Sequence, residues 1–199
     1  PDDVVAAIPQ IAGIFDQPFG NASAVPAFYC ARMARADGLN RILGGDGGDE
    51  LFGGNERYAK QHIFSLYERI PSLLRKGVLE PAVFGMPGGQ RVPLVRKARS
   101  YIEQASVPMP ARTETYNLLD RYGHGEVFTR EFLATVDPGQ PLSRLKETYR
   151  QAHAQSLINQ MLALDLKFTL ADNDLPKVVK ACELAGMEAA FPFLNNEMV

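Results

Sequence analysis

The run LGGDGGDELFGG, Leu43 to Gly54, sets six glycines and three acids, Asp46, Asp49 and Glu50, into twelve positions. Glycines leave backbone N–H groups unobstructed, and successive N–H groups form concave nests that hold anionic oxygens. Two carboxylates beside a bound anion repel it unless a divalent cation lies between. Mg²⁺ meets that need, because it takes one or two carboxylates and bridges them to phosphate oxygens. Asp46 and Asp49, with Gly44, Gly45, Gly47 and Gly48 around them, therefore read as half of a nucleotide-phosphate and metal site. The other half has no familiar signature, since neither G-x-x-x-x-G-K-S/T nor G-x-G-x-x-G occurs in the 199 residues. A plain turn with solvated acids is the simpler alternative, but a turn needs only one or two glycines, and the rest cost unfolded-state entropy without packing return. Gly44 to Phe52 also fits the calcium-binding nonapeptide of parallel β-rolls. The next nine residues, GGNERYAKQ, put Glu56 and Tyr58 where glycine and aspartate are required, so no array can stack.

The elements that must position this loop can be read from periodicity. Leu39, Ile42 and Leu43 form a short apolar run between glycine signals and predict one buried strand. The loop then lies at the carboxyl end of that strand, where open α/β sheets place their ligands. Upstream, Asn21 or Ser23 caps a helix whose Val25, Phe28, Tyr29, Met33 and Ala36 recur at helical spacing until Gly38. Downstream the pattern is helical almost throughout: 56–69, 72–84, 93–104, 112–122, 129–136, 142–154, 156–170 and 174–185. Phe84 to Pro93 and Thr135 to Pro141 read as loops. With one strand in view, the expected architecture is part of an α/β sheet domain followed by a mostly helical layer.

Composition narrows the classes. A formal net charge of −2, with 46% hydrophobic and 22% charged residues, describes a globular chain with one main core and argues against nucleic acid as a partner. No apolar run approaches a membrane span, and Cys30 and Cys182 stand far apart in helical stretches, so a cytoplasmic, reducing setting is expected. The chain opens at Pro1 and closes on PFLNNEMV, from which a piece of a longer polypeptide is expected. His62, His124 and His153 share no metal-ligand spacing, and Tyr101, Tyr116, Tyr122 and Tyr149 read as core or edge packing with wet hydroxyls. Arg91 to Ser100, basic and amphipathic, reads as a solvated helix face.

Three segments carry a resemblance. ILGGDGGDELFGGNERY, Ile42 to Tyr58, resembles the S-G-D/E-G-G/S-D-E-x-F-G-G-Y segment of glutamine-dependent asparagine synthetases. DQPFGNASAVPAFY, Asp16 to Tyr29, is similar to that family's D-E-P-F-x-x-x-S-x-x-P segment, and Asp165 to Val199 follows its D-L-x-x-x-L-x-x-D-x-L-x-K-V-D-R to P-F-L-D stretch. The resemblance implies an α/β fold of the ATP-pyrophosphatase type, here predominantly helical with few parallel strands. Residues 1–199 would be the C-terminal part of a synthetase domain. It also implies ATP and Mg²⁺ as cofactors. The activity implied is a ligase reaction: the carboxylate of aspartate or a related acid attacks the α-phosphorus of ATP, and ammonia delivered from glutamine by an N-terminal domain displaces AMP. Small molecules are then the partners, and a homodimer is among the assemblies this allows.

By position, Gly44 and Gly45 would lie against the nucleotide with Gly47 and Gly48, Asp46 would serve the acyl-adenylate, and Asp49 would hold Mg²⁺ and pyrophosphate. Lys177 would be a phosphate contact or a surface lysine on an amphipathic helix, and Glu50 a structural acid capping the short helix that follows the loop. The departures are specific. Gly44 stands where serine is usual, Asn55 replaces tyrosine, K-V-D-R has become Lys177, Val178, Val179, Lys180, and Ala190 and Asn195 replace arginine and aspartate. They imply a divergent branch, with aspartate or a related acid as acceptor. The S-G-G-x-D-S pyrophosphate loop and a nucleophilic N-terminal cysteine do not occur in the 199 residues, so the chain alone is expected to be catalytically silent. The competing expectation is a non-catalytic helical interaction or scaffold domain that keeps the loop as a turn.

Overall fold

The computed structural model describes residues 2–198, apart from the side chains of Asp2, His62, Gln90 and Tyr116. In chain order, helices α1 (Asp2–Ile14) and α2 (Ala24–Ala36) precede strand β1 (Arg41–Leu43) and the short helix α3 (Gly48–Phe52). Helices α4 (Glu56–Glu68), α5 (Pro93–Ala105), α6 (Gln140–Gln151) and α7 (Leu157–Leu164) follow, with shorter helical pieces between them. A π-helical stretch, Asp165–Asp174, continues into α8 (Leu175–Leu184), and strand β2 (Glu188–Ala190) and a 3₁₀ turn (Pro192–Leu194) close the order. Instead of one main core there are two compact units: the chain up to Gly54 joins the chain from Leu162 onward, and Asn55–Met161 forms the second.

In the first unit α2 is packed against α8 by small residues. Ala31 is fully buried and Ala181 nearly so, which lets the two backbones approach. Ala7 and Ile11 of α1, Ala24 and Phe28 of α2, and Ala181 form one apolar cluster. Ala31, Cys182 and Met187 form another, against which Ile42 of β1 and Ala189 of β2 pack. The strands pair in parallel with Ile42 opposite Ala189 and Leu43 opposite Ala190. The mostly helical fold with parallel strands is thus as expected, and β1 lies inside the predicted strand. That strand is not buried, however: Leu39 and Leu43 are exposed and only Ile42 is half-buried, because β1 has a single neighbouring strand among the described residues. Two elements differ from expectation. β2, with the sequence Glu-Ala-Ala, carries no strand signal of its own, and α1 holds Pro9 in its interior, which obscures its helical pattern.

The second unit is built on aromatic packing. Phe64 and Tyr67 of α4 meet Ile102 and Ala105 of α5, with Tyr101 against both aromatic rings and donating its hydroxyl to the Ile63 carbonyl at 2.7 Å. Arg99, on the segment read as a solvated basic face, instead donates to the carbonyls of Val83 and Phe84 at 3.0 and 2.9 Å. Tyr149 is half-buried and Tyr122 is exposed, while Tyr116 and His62 lie outside the residues whose side chains are described. No helix among the described residues is long and apolar enough to cross a membrane.

Candidate functional site

Parallel pairing of β1 with β2 brings the two ends of the first unit together. The Gly44 amide continues the ladder by donating to the Ala190 carbonyl at 2.8 Å, and the chain then turns through Gly45 to Gly48 into α3. Beyond β2, Phe191 and the turn Pro192–Leu194 close over this loop. A Cβ added at Gly44 would stand 2.7 Å from the Phe191 ring and 2.8 Å from Asp46 Oδ2. Serine at this position would have to displace Phe191 or Asp46, which gives the departure at Gly44 a packing reason. Gly47 is held at φ +94°, and a Cβ there would run into Leu194. The first motif segment reaches the same unit, with Asn21 Nδ2 donating to Asn173 Oδ1 at 3.4 Å.

An open cleft of about 520 Å³ lies above the loop, lined by Gly45 to Glu50, Leu170 and Asp174 of the π-helical stretch, and Phe193. Both Asp46 and Asp49 line it. The Asp49 carboxylate sits over Gly54, 2.5 Å from where a Cβ would stand, so that glycine leaves the acid its place. Within the turn the Gly48 amide donates to Gly45 O at 3.4 Å and the Leu51 amide to Gly47 O at 3.0 Å. The amides of Gly45, Asp46, Gly47, Asp49 and Glu50 have no acceptor among the described residues. Nothing lies within 4 Å of a Cβ built on Gly45, so a ligand can approach the backbone there.

Gly44 and Lys177 stand one contact behind the cleft. The Lys177 ammonium, 16% exposed, donates to Asp174 Oδ1 at 2.7 Å, so the lysine is a paired, half-buried group and Asp174 is what it presents to the cleft. Asp174, Leu170 and Phe193 were not singled out by sequence reasoning, although all three fall inside the third motif segment. Glu50 does not cap α3: no side chain caps that helix, and Glu50 is buried at 9% exposure at the cleft. Cys30 and Cys182 are free thiols, and burial pushes the Cys182 thiol above its ordinary range. His124 lies 3.7 Å from Asp120, and no group of three His, Cys, Asp or Glu side chains able to hold a metal occurs among the described residues.

The donor set suits a shared phosphate and metal site. The unpartnered amides are donors of the kind an anion needs, and Asp46 and Asp49 are two carboxylates of the kind that Mg²⁺ takes when phosphate and water complete its shell. The sequence model of the asparagine synthase family matches residues 1–199. The chain is 29% identical over 202 residues to asparagine synthetase (glutamine-hydrolysing) 1 of Bacillus subtilis, covering 98% of this chain and 29% of that protein. It is 28% identical over 205 residues to a Mycobacterium tuberculosis protein provisionally named asparagine synthetase (glutamine-hydrolysing), covering 99% of this chain and 28% of the relative. A Methanocaldococcus jannaschii protein with a similar provisional name is 35% identical over 68 residues, 34% of this chain and 13% of its own length. The chain thus spans under a third of the relatives it matches along nearly its whole length. No solved structure matches it. With a family match from end to end, the chain belongs to the asparagine synthase family.

Proposed function

We propose that the cleft is the pyrophosphate half of an adenylation site in an ATP-dependent, amide-forming synthetase of the ATP-pyrophosphatase type. Residues 1–199 would be the C-terminal part of the synthetase domain, and a further part of the polypeptide would bring the S-G-G-x-D-S loop and the glutamine-hydrolysing domain. The carrying observation is the set of unpartnered amides of Gly45, Asp46, Gly47, Asp49 and Glu50 beside two acids in one cleft. Asp49 would hold Mg²⁺ on the leaving pyrophosphate, and the metal supplies charge neutralisation on the phosphate oxygens. The unpartnered amides of Gly45, Gly47 and Asp49 would donate to those oxygens, and fixed donors of this kind act most strongly on developing charge. Asp46 stands beside Gly44 and Gly45, where the acyl-adenylate would form and be consumed. Lys177 would act through Asp174, leaving that acid on the cleft wall in its paired form.

Titration of the ¹⁵N-labelled chain with magnesium pyrophosphate should shift the Gly45 to Asp49 amides saturably, and Asp49→Ala should remove the response with the fold intact. In the polypeptide that also carries the pyrophosphate loop, the same substitution should abolish ATP–pyrophosphate exchange dependent on the acid substrate. Unshifted amides in the folded chain would leave the scaffold reading in place of this one.

A further inference from the structure

We propose that Glu50 receives an ammonium group, carried by the amino-acid acceptor of the amide-forming reaction. This rests on the reading of the cleft as the synthetase site. Glu50 is 9% exposed, yet it makes no hydrogen bond or ion pair among the described residues. It is not among the side chains whose polar atoms are sealed without a partner, so its oxygens meet open space, and the open space it borders is the cleft. Buried polar side chains nearly always have partners, and leaving an acid without one is costly. A buried acid turned to a ligand cleft and lacking any partner in its own chain is completed by a ligand that donates.

The surroundings select the donor. Leu170 and Phe193 add two apolar side chains to a cleft otherwise lined by glycines and acids, a local surface that the carbon of an organic cation can contact and a hydrated divalent ion cannot use. An ammonium offers three N–H donors, and an aromatic neighbour adds attraction for an organic cation. Metal coordination falls to Asp49 and Asp46, on the loop side. Asp46, before α3, and Glu50, inside it, line the same cleft, so an amino acid can present its reacting carboxylate near Asp46 and its ammonium to Glu50. Glu50 would then set acceptor specificity without touching the nucleotide.

The test uses the ¹⁵N-labelled chain, following the Glu50 amide during separate titrations with L-aspartate, succinate, methylammonium, ammonium and magnesium chloride. L-Aspartate and methylammonium should give saturable shifts, whereas succinate, which lacks only the amino group, should not. Glu50→Gln should weaken both about tenfold or more, as expected for loss of one charge-assisted hydrogen bond. Glu50→Asp, which keeps the charge and shortens the reach, should weaken L-aspartate as well. An equal response to succinate, ammonium saturating as readily as methylammonium, magnesium displacing methylammonium, or unchanged affinity in either folded variant would overturn the proposal. Failure of the pyrophosphate titration with these results intact would sink only the nucleotide reading, and the reverse pattern would sink only the role of Glu50.

Discussion

At the scale of single residues, Gly45 and Gly47 are chemically identical and physically opposite. Gly47 is buried at φ +94° with Leu194 where a side chain would go, while Gly45 is exposed, with nothing within 4 Å of a built Cβ. Gly47→Ala should destabilise the first unit, because a left-handed backbone costs an L-residue about 1–2 kcal/mol and overpacking adds roughly 1–3 kcal/mol. Gly45→Ala should leave the urea midpoint nearly unchanged and still weaken magnesium pyrophosphate binding, since its methyl occupies the open approach to the loop amides. A Gly45→Ala protein that binds pyrophosphate normally would separate that glycine from the site. The contrast also marks where the run of glycines could be read and where it could not. Asp46 and Asp49 were legible as chemistry because their types and spacing are local. Asp174 and Phe193 reach the same cleft through the pairing of β1 with β2, which no local pattern announces. Glu50 was misread as a cap because its missing partner is a property of the packed unit.

At the scale of elements, the Arg112 side chain ties α4 to the end of α5. Arg112, only 1% exposed, donates through Nε to Val107 O at 2.8 Å and through Nη2 to Ala105 O at 3.1 Å, pairs with Glu68, and lies over the Phe64 ring. Arg112→Met strands two carbonyls in the interior and should cost about 2–4 kcal/mol in denaturant unfolding. Glu68 is 46% exposed, so Glu68→Gln should cost less than about 1 kcal/mol. Equal losses would mean that the ion pair, rather than the carbonyl anchoring, holds the element. Elements differed in legibility for similar reasons. The α4 pattern gave its start and nearly its end, because its apolar spacing and the Asn55 cap, which accepts from the Arg57 amide at 3.0 Å, are encoded side by side. β2 could not be read from Glu188, Ala189 and Ala190, since its strand geometry comes from β1. Nor does the helical run from Ser156 disclose that Asp165–Asp174 winds as a π-helix, a form frequent at functional sites, which here presents Leu170 and Asp174 to the cleft.

Across the whole molecule, the two units rest on different chemistry, and pH separates them. The first is held by alanine, isoleucine, phenylalanine and the buried Cys182, whereas of the seven tyrosines only Tyr29 lies outside the second unit. In that unit Tyr67, Tyr101 and Tyr149 are each pushed above the ordinary value of 10.0, chiefly by burial, with Glu80 adding to the effect at Tyr67 and Glu68 at Tyr149. A phenol whose folded pKa exceeds its unfolded one favours the folded state while it is protonated. Its contribution is therefore full below about pH 10, the ordinary tyrosine value, and lost as the pH rises through the raised folded values. Among the described residues the first unit holds one buried group of the same sign, the Cys182 thiol, against three phenols in the second, so unfolding of the second unit should begin in that pH range, ahead of the first. Tyrosinate absorbance reads this directly, because the chain has no tryptophan. Absorbance and the loss of Tyr101 and Tyr67 side-chain NMR signals should move together above that pH, with amides of β1 and α8 persisting longer. Tyrosines that ionise at the ordinary value with the second unit still folded would show that burial of these rings does not couple protonation to its stability.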